Sequence, residues 1–235
     1  MNALKEKIRH EMRSLVPRRI SSLGHAQLIA ERKATLLVKL LRIPRIPIDV
    51  FAVAEALQIE VEMRPRYLMA NVSGRTVCSA QGGNILINQN ATLGQRRMTL
   101  AHEIKHALDD DLPSEVFSNL GHGNDDVRSD LIEKTCDHFA ACLLIPRKIL
   151  RRAWSSGIQE PQALADLFEV STSAMIIHLQ YWGFTNEKPK PPRHYFGQPQ
   201  LKTVDPAWIT ATRRKWRSEA RRQEPCPMAA QGDRA

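Results

Sequence analysis

The sequence predicts an α+β fold that is mostly helical, with a small antiparallel sheet and, after it, a helix-turn-helix-like pair of helices. Three observations predict it. Two long stretches, 92–109 and 125–144, carry apolar residues at helical spacing with no interrupting proline. One region, 59–88, holds short alternating runs around Gly82-Gly83. Residues 161–168 and 172–183 flank Val170-Ser171 as a helix, turn and helix.

Taken in order, residues 2–42 read as helix, with Leu36, Leu37, Leu40 and Leu41 clustered near its end and Pro17 dividing it. Pro44 and Pro47 mark a linker, and Asp49 is placed to cap a helix over 50–57. Ile59-Glu60-Val61-Glu62-Met63 alternates as a strand. Strands over 75–80 and 84–88 follow, joined by a Gly82-Gly83 turn. A polar loop over 110–124 separates the two long helices, the second of which Pro146 stops. From Lys188 the chain is proline-rich and then basic. The expected organisation is a basic helical N-terminal arm (1–45), a central domain (46–150), a helical subdomain packing on it (151–187), and a linker with a basic tail (188–235).

Composition narrows the function classes. A chain of 235 residues, 43% apolar, can bury a sizeable core. No apolar run approaches the roughly 20 residues of a membrane span, and Lys5, Lys7, Arg9 and Arg13 interrupt the N-terminus where a signal peptide would be apolar. Cys78, Cys136, Cys142 and Cys226 form no C-x-x-C pair, which fits reduced thiols and a cytoplasmic location. The net charge of +9 is unevenly spread: residues 1–45 carry 11 Lys/Arg against 3 Asp/Glu, and 188–235 carry 11 against 4. Such termini can touch nucleic acid nonspecifically, with strong salt dependence. No membrane partner is expected.

The chemistry concentrates in His102-Glu103-Ile104-Lys105-His106. Positions i and i+4 share one helix face, so His102 and His106 can present two imidazoles to one metal ion. Glu103 lies beside that face, where it can serve as general base toward a water activated by zinc. This pattern points to metal-assisted amide hydrolysis. Asp109 and Leu112 stand where metzincins place Gly and a third His, so the third ligand has to come from elsewhere. Glu133 on the next helix is the leading candidate, with His122 and His138 as rivals. Asp137, one turn after Glu133, can accept a hydrogen bond from a ligand histidine and fix its tautomer.

In this order, several motifs resemble the ImmA/IrrE metallopeptidases, gluzincin-like enzymes with a zincin-like domain. They are Pro47-Ile48-Asp49 with Ala54-Glu55-Ala56-Leu57, Ile85-Leu86-Ile87-Asn88, Arg97 to His106, Glu133-x-x-Cys136-Asp137-x-Phe139-Ala140-Ala141, and Leu164-Ala165 with Phe168-x-Val170-Ser171. The resemblance implies a zinc site of His102, His106 and Glu133 with Glu103 as general base. It also implies a protein substrate, a helix-turn-helix transcriptional repressor, cut to relieve repression under stress or in mobile elements. Lys105 stands where the family often has Gly, and Cys136 where it has Ala, which introduces sensitivity to oxidation. Residues 1–45 look like neither of the usual N-terminal forms.

Two expectations concern the substrate. The strand 85–88 is placed to pair with an extended peptide at a sheet edge, and Asp109-Asp110-Asp111 would favour a basic segment. A different reading is a DNA-binding or protein-binding regulator whose metal site is structural or sensory. Against it, the second helix, 172–182, contains no Lys or Arg to meet phosphates.

Overall fold

The computed structural model describes residues 2–43, 46–65, 67, 74–79 and 82–184. The basic tail and Cys226 lie outside the described residues. Among the described residues, eight α-helices and three strands follow in the order α1 (Asn2–Ser14), α2 (Leu23–Leu40), α3 (Val50–Ala56), β1 (Glu60–Arg64), β2 (Gly74–Ser79), β3 (Gly82–Asn88), α4 (Leu93–Asp109), α5 (Asp125–Leu144), α6 (Arg147–Ser155), α7 (Pro161–Phe168) and α8 (Thr172–Tyr181). The α+β class and the helix pair after the central region are as the sequence predicts. No helix among the described residues is long and apolar enough to cross a membrane.

Helix starts follow local chemistry. Asp49 accepts from the backbone amides of Phe51 and Ala52, both at 3.1 Å. Thr92 and Gln95 form a reciprocal capping box at the head of α4. Asn124 opens α5 by accepting from the Val127 amide at 3.0 Å. Just upstream, Gly121 sits at φ 78°, and a Cβ there would come within 2.7 Å of the Arg128 backbone nitrogen. Only glycine lets the loop close so tightly onto α5. The sequence gives no separate helix over 147–155; α6 is there, burying Leu150 and Ala153 and exposing Arg147, Lys148, Arg151 and Arg152.

The sheet has the order β1-β3-β2. The β2–β3 ladder is antiparallel, as expected, whereas β1 runs parallel to β3, pairing Val61 with Ile85 and Met63 with Ile87. β3 lies between β1 and β2, so the two earlier strands stand on opposite flanks. Two expectations change as a result. Gly82 and Gly83 pair within β3 instead of forming a turn. Because β3 is paired on both sides, it has no free edge to offer a peptide.

β3 alternates, with Ile85 and Ile87 fully buried against the helices. α4 packs on β2 and β3 on one side and on α5 on the other, and α2 lies along α5. One apolar cluster joins these layers: Ile8 and Met12 of α1 and Ala30, Ala34 and Leu37 of α2 share it with Leu100, Ile104, Phe139 and Leu143. Each enclosed Leu, Ile or Phe contributes about 1.5–3 kcal/mol relative to exposure. Met175 and Leu179 bring α8 into the same cluster. The 110–124 loop is also anchored. Val116 and Leu120 pack with Ile20 and Ile29, and the Ile20 amide donates to the Val116 carbonyl at 2.8 Å.

Candidate metal centre

α4 presents His102 and His106 on one face because they are one turn apart, and α5 crosses that face with Glu133 and Asp137, also one turn apart. The buried side of α4, with Leu100, Ala101 and Ile104 enclosed, fixes its rotation. The histidine face then has one orientation available, toward α5.

Four polar groups meet there. His102 Nε2 lies 3.1 Å from His106 Nε2 and 3.1 Å from Glu133 Oε2, and His106 Nε2 lies 3.3 Å from Glu133 Oε1. On the far side of the His102 ring, Nδ1 and Asp137 Oδ1 are 2.8 Å apart. A tetrahedral ion with bonds of about 2.0–2.1 Å to nitrogen and oxygen holds neighbouring donor atoms roughly 3.3 Å apart. The three separations therefore fit one small divalent ion. Asp137 is placed to keep the His102 proton on Nδ1, leaving Nε2 with its lone pair free for a metal.

The charges are consistent with this placement. Burial disfavours the charged form of His102. The hydrogen bond to Asp137 and the negative charges of Asp137, Glu103 and Glu133 outweigh it, so the pKa of the metal-free imidazole is raised. An environment that attracts a proton to this nitrogen attracts a metal cation by the same field. Glu103 is nearly enclosed, at 9% exposure, and close enough for its charge to act on His102.

The rivals to Glu133 are placed otherwise. His138 is buried on the far side of α5, its ring 4.4 Å from that of Tyr181 and its Nε2 3.4 Å from Cys142 Sγ. His122 is exposed on the loop with a left-handed backbone (φ 52°) and is not part of the cluster.

One donor was missed from the sequence as a ligand. Cys136 is buried, and its Sγ lies within 4.8 Å of donor atoms on His102 and His106. Burial pushes its thiol up to about 12, which disfavours the thiolate that a metal would need. The expected acidic patch is also altered. Asp109 is partly buried between Lys33 and Lys105, and Asp111 pairs with Arg9 at 3.3 Å, so neither is a free charge for a basic segment. The burial of Lys33, though not its partner, had a sequence signal: Ile29, Ala30, Ala34 and Leu37 surround it at helical spacing and place it on the buried side of α2.

α7 and α8 are fastened to α4 by a buried arginine. Arg97 donates Nε to the Glu169 carbonyl at 3.0 Å and Nη2 to the Phe168 carbonyl at 3.2 Å, with the Glu169 carboxylate 3.5 Å from Nη1. These carbonyls end α7, where Glu169 takes a left-handed backbone (φ 53°).

The family model described as IrrE N-terminal-like domain matches residues 54–180. The radiation response metalloprotease IrrE of Deinococcus deserti is 37% identical over 86 residues, 35% of this chain and 30% of that protein. Its namesake from Deinococcus radiodurans is 33% identical over 113 residues, 46% of this chain and 32% of that protein. The aligned part is thus about a third of the length of these relatives. Among solved structures, a Mycobacterium tuberculosis transcriptional regulator aligns with a TM-score of 0.49 and 16% identity, covering 76% of this chain and 51% of that one. The chain belongs to the IrrE N-terminal-like family.

Proposed function

We propose that this chain, as a member of the IrrE N-terminal-like family, is a zinc-dependent endopeptidase whose substrate is a helix-turn-helix transcriptional repressor, cut to release stress-response or mobile-element genes. The observation that carries the enzymatic part is the convergence of His102 Nε2, His106 Nε2 and the Glu133 carboxylate at 3.1–3.3 Å. These three residues would hold the ion, with Asp137 orienting His102.

Zinc, when bound, supplies Lewis acidity that polarises the peptide carbonyl and eases deprotonation of a water. Glu103 does the proton work. As the water oxygen bonds to the carbonyl carbon, the Glu103 carboxylate takes its proton. As the C–N bond breaks, Glu103 returns that proton to the departing amine nitrogen. The near-enclosure of Glu103 keeps bulk water from competing for the proton. The repressor as substrate rests on the family resemblance, with the metalloprotease names of the two relatives in support of the peptidase class.

Glu103→Gln tests the enzyme reading. The variant keeps its fold and its zinc and loses at least a hundredfold in peptide hydrolysis, because an amide cannot accept the proton. Retention of the biological effect by Glu103→Gln would sink the proposal. One observation favours the structural or sensory reading, namely the buried Cys136 beside both histidines, since thiolate ligation would close the site. Cys136→Ala separates the two: an enzyme keeps zinc and activity in that variant, whereas a closed structural site loses its metal.

A further inference from the structure

Lys33 of α2 is 1% exposed and Lys105 of α4 is 3% exposed, which is rare for lysine without full pairing. Both ammonium groups reach Asp109: Lys33 Nζ donates to Oδ1 at 2.7 Å, and Lys105 Nζ donates to Oδ2. An ammonium carries three N–H donors. Of the six hydrogens, two are used on Asp109, and Asp109 is the acceptor that both groups share among the described residues. Two positive charges therefore face one negative charge in an enclosed place, and an uncompensated buried charge is costly.

A small cavity of about 10 Å³ opens on these same three residues, room for one body about the size of a water molecule. Ile20, Ala26, Ile29, Leu112 and Phe117 form apolar walls. Thr135 also lines it, with its hydroxyl donating to the Leu131 carbonyl at 2.7 Å. Two lysines and one carboxylate thus line the cavity among the described residues, and that carboxylate already has a lysine on each oxygen.

We propose that this cavity is a binding site for one small inorganic anion of the halide class, held between the Lys33 and Lys105 ammonium groups. The anion balances the second lysine and takes up N–H donors that Asp109 cannot reach. It would fasten α2 to the last turn of α4, next to His106, so that the salt composition of the solution acts on the rigidity of the helix carrying both histidines. The site stands independently of the peptidase reading.

The melting temperature of the full chain in potassium chloride, compared with potassium gluconate at equal ionic strength, tests this. Chloride should raise it by about 2–5 °C for this chain length. In Lys33→Met, which keeps the apolar stem and leaves Lys105 and Asp109 balanced, the chloride-specific rise should vanish. The absence of any chloride-specific rise in the unaltered chain, as a Lys33 that simply loses its proton would give, overturns the proposal, as does an equal rise in Lys33→Met. If Lys33→Met does not fold, crystals of the unaltered protein soaked in bromide decide the matter: an anomalous peak between the two Nζ atoms supports the site, and its absence refutes it.

Discussion

Asp137 touches no substrate and holds no metal in the proposed site, yet its 2.8 Å contact with His102 Nδ1 decides which face of that imidazole is available. Replacing it with alanine should weaken zinc binding by about 10–100-fold, read by competition with a chelator. Glu133→Ala should go further and lose the metal, whereas His122→Ala should retain it; equal zinc content in the two would rule out Glu133 as a ligand. The meeting of His102, His106, Glu133 and Asp137 was legible in the sequence because i, i+4 pairs on two helices leave little freedom in what they face. Lys33 was not legible as a partner of Asp109. A lysine is ordinarily read as solvated, and the two residues are 76 positions apart.

At the scale of elements, the first turns of α4 hold the α7–α8 pair. Thr92 caps it, Gly94 lets the α7–α8 turn approach, and Arg97 grips the end of α7. A Cβ on Gly94 would stand 3.3 Å from the backbone of Val170 and Ser171, tighter than most such contacts. Arg97→Met keeps the bulk but removes the buried donors to Phe168 and Glu169, so it should cost about 2–4 kcal/mol in urea denaturation. A loss below roughly 0.5 kcal/mol would mean that Arg97 does not fasten the pair. Elements with caps and clean periodicity, such as α4 and α5, could be read almost to the residue. α6 could not, since four basic residues hide a stripe of only Leu150 and Ala153. The parallel β1–β3 ladder was hidden for a different reason: alternation fixes which face of a strand is buried and says nothing about which strand lies beside it.

For the molecule as a whole, His138 and His178 lie where α5 and α8 meet, His138 against Tyr181 and Cys142, and His178 against Trp182 and the Ile145 backbone. Arg147 and Glu31, 3.7 Å apart, act on Cys142 and Tyr181 at that junction. Burial holds both imidazoles down at about 4, against about 6.5 in an unfolded chain. Between those values the unfolded chain binds more protons, so stability falls as pH drops from about 6.5 toward 4. The loss should be on the order of 1–3 kcal/mol per histidine. Urea midpoints at neutral and mildly acidic pH should differ less in His178→Leu than in the unaltered chain; an unchanged difference would show that His178 does not titrate this way.

The family match begins at residue 54, yet Ile8, Met12, Ala30, Ala34 and Leu37 sit in the same cluster as the site helices. For anyone preparing a shortened protein, a cut near residue 46 would strip the cover from α5 and turn the inner surface of a folded molecule into a sticky outer one. Such a fragment should aggregate, and adding residues 2–43 back as a separate peptide should restore its solubility.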